Sequence, residues 1–437
     1  MYPRAHLLDP SACGSRMPLS RRTLLQAGAG LAWLTPLSRA LAVAAEQKRG
    51  VTRPKSLIVL WLQGGPSQLE TFDPHPGRRI GGDVKGIKTA VPGLKIADTL
   101  PRTAALMDHV ALLRCVTSKE GDHQRATYNM QTGYRPDPTL IHPSIGAILC
   151  HELSAAGVEI PRHVSIFPEA FPPRGGFLGN KYDAFKMHDP TGPLPDLPRR
   201  VSAERFEKRL NDLDILERSF AHRRRRDLET ETTLHRTMIE RATTMMSSEQ
   251  IAAFNIDDVS QTAREQFGDT PFGRGCLCAT QLVETGVRCV QVTLSGWDTH
   301  ANNHELQSTR AETLDAALSA TIRHLKERDL FDETIVLCGG EFGRTPNINP
   351  AAGRDHWPHG FSMVLAGGGI RRGAVLGETD PEGSKITAET KNAVRVEDIH
   401  ATIYSALGID IHQDYQTPIG RPMGLCAGKP IVEILTA

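Results

Sequence analysis

Short apolar runs recur along the chain, and most of them end in glycine or polar residues. They lie at 55–65, 108–118, 287–300, 333–343 and 361–370. Apolar runs of this length, bounded by turn residues, are typical of strands that are buried on both faces of a sheet. The pattern therefore predicts a core of buried strands.

A different periodicity separates the third run from the fourth. In 304–327 the apolar residues Leu314, Leu318, Ile322 and Leu325 recur three or four positions apart, which is the spacing of one helix face. A strand, a helix and a strand in this order form a βαβ unit, which joins parallel strands. The sequence thus predicts an α/β protein with a mostly parallel sheet, where sites form at the carboxyl ends of the strands.

The middle of the chain has another character. Residues 180–200 are rich in proline, and 201–250 are charged and prone to form helices. We interpret 180–265 as a helical insertion in the sheet domain. The basic run Arg223–Arg226 suits either a polyanion contact or a solvated helix face, and nearby acidic residues favour the second interpretation.

The N-terminal residues carry the pattern of an export signal. Arg21 and Arg22 precede the mildly apolar run Leu24–Leu37, and small residues follow at Ala40–Ala42. This arrangement predicts a twin-arginine signal peptide over residues 1–45, recognised by the twin-arginine export machinery, and a periplasmic or otherwise exported protein. The alternative is an amphipathic first helix. The run is too short and too rich in glycine to predict a stable membrane span.

Charge and cysteine content narrow the class further. Lys and Arg number 51 and Asp and Glu 50, for a net charge of +1, so no basic field predicts a nucleic-acid partner. Of the eight cysteines, Cys13 lies in the predicted signal, which leaves an odd number. Because twin-arginine export carries folded proteins out of the reducing cytosol, we expect free buried thiols rather than a disulfide framework.

Polar side chains capable of chemistry follow the third apolar run. Asp298 and His300 stand two positions apart at the predicted strand exit. A carboxylate with an imidazole suits zinc or manganese better than calcium. His304 is either a third ligand or the beginning of the next helix. Taken alone, the pair fits a capping carboxylate and a surface histidine equally well.

The stretch 339–360 is dense in such residues. Glycines and prolines exclude a helix there, so the stretch is predicted to be a loop on a rigid scaffold, where sites are usually built. The forked guanidinium of Arg344 suits an anionic substrate oxygen. We expect a divalent metal to be held by carboxylates and imidazoles from these two regions, namely Asp298, His300, Glu341, Asp355, His356 and His359.

Six ordered motifs after the signal resemble a known family. They are LQGGPSQLETFDPHP, GDHQRATYNMQTGYRP, GWDTHANN, GGEFGRTP, GRDHWPHGFSMVLAGGGIRRGAVLGETD and VEDIHATIYSALGID. Together they resemble the exported family called domain of unknown function 1501, which is similar to the alkaline phosphatase and sulfatase superfamily. The resemblance implies a three-layer α/β/α sandwich with a mostly parallel sheet, a single domain over 50–430, and metal-assisted cleavage of phosphate or sulfate esters.

The resemblance also implies roles for individual residues. Asp298 and His300 resemble the superfamily's Asp-x-x-x-His metal segment, with closer spacing. Glu341 stands where relatives carry an Asp-His pair, and His356 or His359 resembles the late histidine ligand.

The chain departs from the superfamily at the nucleophile. Nine positions before Thr132, where sulfatases carry a nucleophilic Cys or Ser, this chain has His123, which suits a nucleophile, a metal ligand or a general acid. Ser67 offers a hydroxyl, although helix capping explains it as well. The first strand ends without the metal-binding Asp of relatives, and Glu70 and Asp73 are substitutes from the next turn.

Two functions follow from these patterns. The first is an exported metal-dependent hydrolase that acts on a small-molecule or polysaccharide anionic ester of sulfate or phosphate. The alternative is a catalytically degenerate relative that binds a sulfated or phosphorylated polymer. The clustered metal-type residues favour the hydrolase, whereas the altered nucleophile and first-strand positions favour the binding protein.

Overall fold

The computed structural model describes residues 55–436 apart from six internal segments, which are 155–156, 192–193, 195–196, 198–199, 225–233 and 386–392. The predicted signal peptide over 1–45 lies outside the described residues. None of the described helices combines the length and the apolar character needed to cross a membrane.

Fifteen strands are present in the described part of the chain. In chain order they are β1 Ser56–Leu62, β2 Gly86–Lys88, β3 Lys95–Ala97, β4 Val110–Thr117, β5 His163–Ile166, β6 Phe185–Met187, β7 Cys289–Leu294, β8 Thr334–Gly339, β9 Gly343–Arg344, β10 His356–Trp357, β11 Phe361–Gly367, β12 Val375–Leu376, β13 Val394–Arg395, β14 Asp414–Gln416 and β15 Pro422–Gly424.

Nine α-helices accompany them in the same described ranges. They are α1 Pro101–Ala104, α2 His123–Thr132, α3 Ile145–Glu152, α4 Ala203–Arg224, α5 Leu234–Ser247, α6 Gln261–Gln266, α7 Pro271–Thr285, α8 Asn303–Glu327 and α9 Val396–Ala406. The five predicted apolar runs coincide with β1, β4, β7, β8 and β11, and the predicted helix over 304–327 coincides with α8.

The central sheet has nine strands in the order β12–β4–β11–β8–β1–β7–β5–β6, with β13 paired to β4. All of its pairings are parallel except those of β11, which runs antiparallel to both β4 and β8. β11 is antiparallel to β8 because the connection between them contains no crossover helix. The chain therefore re-enters the sheet at the same edge at which it left. The stretch 339–360, which was predicted to be a loop, joins the adjacent strands β8 and β11, and these are antiparallel although the sheet is mostly parallel.

Helices cover both faces of this sheet. Along β1, Ile58 and Leu60 pack into one core together with residues of α7 and α8. The alternate residues Leu57 and Val59 pack into a second core with residues of α2, α3 and α9. Because successive side chains of a strand point to opposite faces, these two cores define a three-layer α/β/α sandwich, and the predicted fold class is confirmed.

The segment 180–265 supplies more than helices. It contains α4, α5 and α6, and also the short strand β6. Residues Phe185 to Met187 of β6 pair in parallel with β5, so this segment extends the edge of the central sheet.

The seven cysteines among the described residues are free thiols, six of them buried. Cys115, Cys289 and Cys338 lie in β4, β7 and β8, as the apolar runs predicted. Burial raises the pKa of the Cys150 thiol, and that of Cys278, to about 12. These side chains therefore act as small apolar groups in the core.

Two buried histidines predict an acid-sensitive fold. His400 in α9 and His163 in β5 share hydrogen bonds with the carbonyl oxygens of Met130 and Tyr182, both at 2.9 Å. Burial lowers the pKa of each from 6.5 to about 4, so both are neutral in the folded state. Their contribution to stability is complete above pH 6.5 and is lost as the pH falls towards 4, because the unfolded chain takes up the protons first.

We therefore expect urea denaturation to give a lower free energy of unfolding at pH 5 than at pH 7.5, by roughly 2 kcal/mol for each histidine. His400→Gln should reduce this pH dependence, whereas the exposed His412→Gln should not. An unchanged slope in His400→Gln would show that the imidazole is not the titrating group.

Candidate metal centre

Three loops at the carboxyl ends of β4, β7 and β8 converge on one side of the sheet. The exit of β4 leads to α2, whose first residue is His123. Asp298 and His300 follow β7, and Glu341 follows β8. The short hairpin of β9 and β10 lies within the β8–β11 connection and brings the backbone of His356 beside that of Arg344.

A glycine permits this close approach. Gly64, just after β1, has a φ of +115°, and a Cβ there would lie 2.4 Å from the backbone nitrogen of Asp298. Any larger residue would force the β1 and β7 exits apart. The Gly64 N–H also donates to Glu341 Oε1 at 3.0 Å. Gly64 thus serves to pack the loops together.

Three imidazoles direct their Nε2 atoms towards the carboxylate of Asp298. The Nε2 atoms of His356 and His300 lie 3.3 and 3.1 Å from Oδ1 of Asp298. The Nε2 atom of His123 lies 3.4 Å from Oδ2. Ligand atoms of His123, Asp298 and His356 all lie within 4.8 Å of one another, which is close enough to share one ion.

The other ring nitrogen of each histidine has an acceptor as its partner. Nδ1 of His123 lies 2.7 Å from Glu341 Oε1, and Nδ1 of His300 lies 2.9 Å from Asp355 Oδ1. Nδ1 of His356 lies 2.8 Å from the carbonyl oxygen of Gly121. Because these oxygens accept, each Nδ1 carries a proton, and each ring presents a lone pair at Nε2 when it is neutral. Metal-binding histidines are held in this way.

Two features of the cluster fit a cation. The Nε2 atoms of His300 and His356 are 3.1 Å apart, so a proton on one of them, or a cation beside both, is required to make the approach favourable. Moreover, His123 Nε2 is buried and has no hydrogen-bond partner among the described residues. Such an orphaned ring nitrogen costs free energy unless something binds it, and the donor set suits a divalent ion that accepts imidazole.

The pKa shifts of Asp298, His356 and His123 also bear on the binding of a cation. Burial raises the pKa of Asp298, but the hydrogen bond and charge of Arg344 outweigh it and lower that pKa to about 2. Burial lowers the pKa of His356, which favours the neutral ring. The hydrogen bond to Glu341 raises the pKa of His123, so binding of an ion there would release a proton.

Arg344 is built into the protein beneath the cluster. Its side chain is fully buried, and Nη2 donates to Asp298 Oδ1 at 2.6 Å. Nη2 also donates to the carbonyl oxygens of Gly64 and Trp297, Nε to that of Gly65, and Nη1 to that of Arg354. All three nitrogens therefore have protein acceptors. The structure places Arg344 as a buried support of Asp298 and not at a surface where a substrate anion would reach it.

Glu341 and His359 were also predicted to be metal ligands, but neither belongs to the group of residues whose ligand atoms lie close enough to share one ion. Glu341 is fully buried, and its Oε1 contacts His123 and Gly64. It therefore stands behind a ligand rather than among the ligand atoms. His359 is exposed, with its ring edge-on to Trp357 at a centroid distance of 4.9 Å.

The hydroxyl and carboxylate candidates near β1 are engaged elsewhere. Ser67 is fully buried, and its Oγ donates to Glu70, whose other oxygen pairs with Arg354 at 3.0 Å. Asp73 accepts from Thr379 Oγ1 at 2.7 Å. His304 is exposed in the first turn of α8. Within the described part of the chain, none of these hydrogen bonds and ion pairs reaches the imidazoles of the cluster.

The sequence reasoning missed two contributors. The ring of Phe342 is stacked on His356 at a centroid distance of 4.4 Å and lies 5.0 Å from the ring of His123, so it fixes both imidazole planes from below. The carbonyl of Gly121 holds Nδ1 of His356. The position of Phe342, an apolar residue between Glu341 and a glycine, could have indicated its role. The contact made by Gly121 could not have been predicted, because a backbone carbonyl has no signature in the sequence.

Glu341 provides a test of this arrangement. Glu341→Gln should weaken metal binding by about 10- to 100-fold, the usual effect of losing an outer partner of a ligating histidine. Competition with a chromogenic chelator measures the affinity. Glu333→Gln, at an exposed ion pair with Lys55, is the matched control. Equal affinities for both variants would show that Glu341 does not support a ligand.

The fold and the site together define the class of the protein: a three-layer α/β/α protein with imidazoles and a carboxylate gathered at the carboxyl ends of its strands. The family model described as protein of unknown function (DUF1501) matches residues 54–435. The chain therefore belongs to that family. None of the curated proteins searched matches the sequence.

Three solved structures are similar to this chain in fold. The alkaline phosphatase from the Antarctic bacterium TAB5 is 12% identical, with a TM-score of 0.39 over 82% of this chain and 99% of that chain. The PsFucS1 sulfatase from Pseudoalteromonas sp. is 13% identical, with a TM-score of 0.39 over 86% of this chain and 72% of that chain. The lipoteichoic acid synthase LtaP from Listeria monocytogenes is 12% identical, with a TM-score of 0.37 over 87% of this chain and 76% of that chain.

Proposed function

We propose that the protein is an exported, metal-dependent hydrolase of sulfate or phosphate esters. The observation that carries the proposal is the convergence of His123, Asp298 and His356 on one point, with the distal nitrogen of each imidazole held by an acceptor. Three protein ligands with a further position open are typical of catalytic zinc sites. A divalent cation bound there, zinc or manganese rather than calcium, would polarise an ester oxygen and acidify water.

His300 and Asp355 form a second functional unit at the rim of the centre. Their side chains are 48% and 60% exposed, so both are accessible to substrate. The hydrogen bond from His300 lowers the pKa of Asp355, which keeps the carboxylate ionised and the imidazole oriented. In its imidazolium form, with Nε2–H facing the centre, His300 would be placed to give a proton to the leaving oxygen.

Water is the nucleophile that fits this site best. Within the described ranges, the side chains of the cluster form no hydrogen bond or ion pair with a hydroxyl or a thiol; the cluster comprises Asp298, His123, His300 and His356. Ser67 is buried against Glu70. His123 presents its free nitrogen to Asp298, as a ligand would. We therefore propose direct displacement by water without a covalent enzyme intermediate.

One observation favours the binding protein as the alternative. The end of β1 contributes the glycine Gly64, not a carboxylate, so no second metal site of the superfamily type is built there. A protein that binds a sulfated or phosphorylated polymer without cleaving it would keep the imidazole cluster and show no turnover.

Metal content and turnover together separate these functions. We expect the protein lacking residues 1–45 to contain zinc or manganese in near-stoichiometric amount by elemental analysis. We also expect it to hydrolyse at least one of p-nitrophenyl phosphate, bis(p-nitrophenyl) phosphate and p-nitrophenyl sulfate. Chelation should abolish the activity and the metal should restore it. Bound metal without turnover would support the binding protein, and absence of metal would overturn the metal-dependent hydrolase.

Export is tested separately. Residues 1–45 fused to a folded fluorescent reporter should direct it out of the cytosol, because the paired arginines engage the twin-arginine machinery. Changing both Arg21 and Arg22 to Lys should retain the reporter in the cytosol, as cell fractionation would show. Continued export of the doubly changed fusion would contradict the assignment.

A further inference from the structure

A cleft of about 510 Å³ opens beside the metal centre, which is within the usual size range of small-ligand sites. Four segments line it: the turn before β2, the 345–349 part of the β8–β11 connection, the 355–357 part around β10, and the loop after β12. The lining residues that bear on its chemistry are Arg79, Asn347, Asn349, Asp355, Trp357 and Glu382.

The cleft is continuous with the centre. Asp355 lines the cleft and also accepts from Nδ1 of His300 at 2.9 Å. The strand β10 contributes to both places, because His356 belongs to the cluster and Trp357, which points to the opposite face of the strand, lines the cleft. A molecule whose ester group lies against the imidazoles therefore extends along this wall, and the cleft is where the rest of that molecule would lie.

The lining has the chemistry of a sugar-binding surface. Trp357 is partly exposed and is held edge-on by His359, which leaves an indole for the apolar face of a sugar ring. Arg79 and Asn347 are exposed and joined by a 2.7 Å hydrogen bond, so they form a preoriented pair for hydroxyl groups. Glu382 adds an exposed acceptor.

Charge excludes the densest anions from this cleft. Its ionisable lining comprises one positive group, Arg79, and two negative groups, Asp355 and Glu382, so its formal charge is 1 − 2 = −1. A negative surface repels a polysulfated or polyphosphorylated chain.

We propose that the cleft binds the sugar portion of a carbohydrate ester that carries an isolated sulfate or phosphate group. This inference rests on the proposed function, because the ester must lie at the imidazoles. It assigns the substrate class: a weakly charged, polyhydroxylated molecule with the scissile group at one position, rather than a dense polyanion.

Glycan microarray binding tests the inference with the metal-loaded protein. The array carries matched neutral, monosulfated and polysulfated oligosaccharides. We expect selective binding of a monosulfated subset over the polysulfated forms. Trp357→Ala should weaken that binding by about tenfold or more, and Arg79→Ala should weaken it as well. Arg372→Ala, at a surface ion pair with Asp332, is the matched control and should bind as the unchanged protein does.

Metal content, measured on the same samples, separates failure of the cleft from failure of the centre. Full metal content with no glycan bound, with a preference for polysulfated glycans, or with binding unchanged in Trp357→Ala would overturn the inference. Glycan binding that is sensitive to Trp357→Ala in a protein without metal would support the cleft and refute the metal-dependent hydrolase.

Discussion

Asp298→Asn and His356→Ala should each remove most of the bound metal and reduce ester hydrolysis by more than about a hundredfold. Loss of a residue that only supports a metal ligand reduces metal affinity or activity by up to about a hundredfold, and these two residues are proposed to be ligands themselves. Asp298 is the only carboxylate in the proposed ligand set. Its replacement by asparagine keeps an acceptor for Arg344 Nη2, which donates at 2.6 Å. The loss of metal is therefore expected with little change in fold.

Elemental analysis of the purified variants measures the effect, and circular dichroism confirms that they are folded. His304→Ala is the control, because His304 lies exposed in the first turn of α8 and was an alternative ligand from the sequence. Its metal content should be unchanged. If Asp298→Asn and His356→Ala both kept full metal content, the cluster would be a hydrogen-bonded loop support and not a metal centre.

The strands that could be predicted from the sequence are those that are buried on both faces. Residues 56–62 of β1 are all buried, and so are those of β7, β8 and β11, which produces continuous apolar runs. The short strands β6, β12 and β13 have two or three residues each, too few to show a period. The direction of β11 was not predictable, because it depends on the path of a loop and not on residue type.

For the site, the expectation that the carboxyl ends of parallel strands meet at one edge of the sheet identified the correct loops. It did not distinguish ligands from their supports. Glu341 and Asp298 each follow a strand by a few residues, yet the first is fully buried and the second is 45% exposed. That difference arises because Glu341 turns beneath His123 and accepts from Gly64, a tertiary outcome without a local signal. His123 came from the family resemblance alone, since one histidine before a helix has many roles.

Arg344→Met should lower the free energy of unfolding by about 3–5 kcal/mol, the cost of removing one partner from a buried charged network. The guanidinium is fully buried and donates to backbone oxygens after β1 and β7 and in the β8–β11 connection. Methionine has a similar shape but no donors. The variant would leave these buried carbonyls without their partner and Asp298 without its counter-charge, so metal affinity should fall as well.

Arg372→Met provides the comparison for that variant, because Arg372 forms an exposed ion pair with Asp332 at 2.7 Å. Surface pairs of this kind contribute about 0–1 kcal/mol, so urea denaturation should barely distinguish Arg372→Met from the unchanged protein. The two variants remove the same charge and differ in burial, and the difference in their unfolding free energies measures what burial adds. Equal small losses would mean that Arg344 reaches solvent in the folded protein. In that case, it would regain the role of an anion clamp that the sequence suggested.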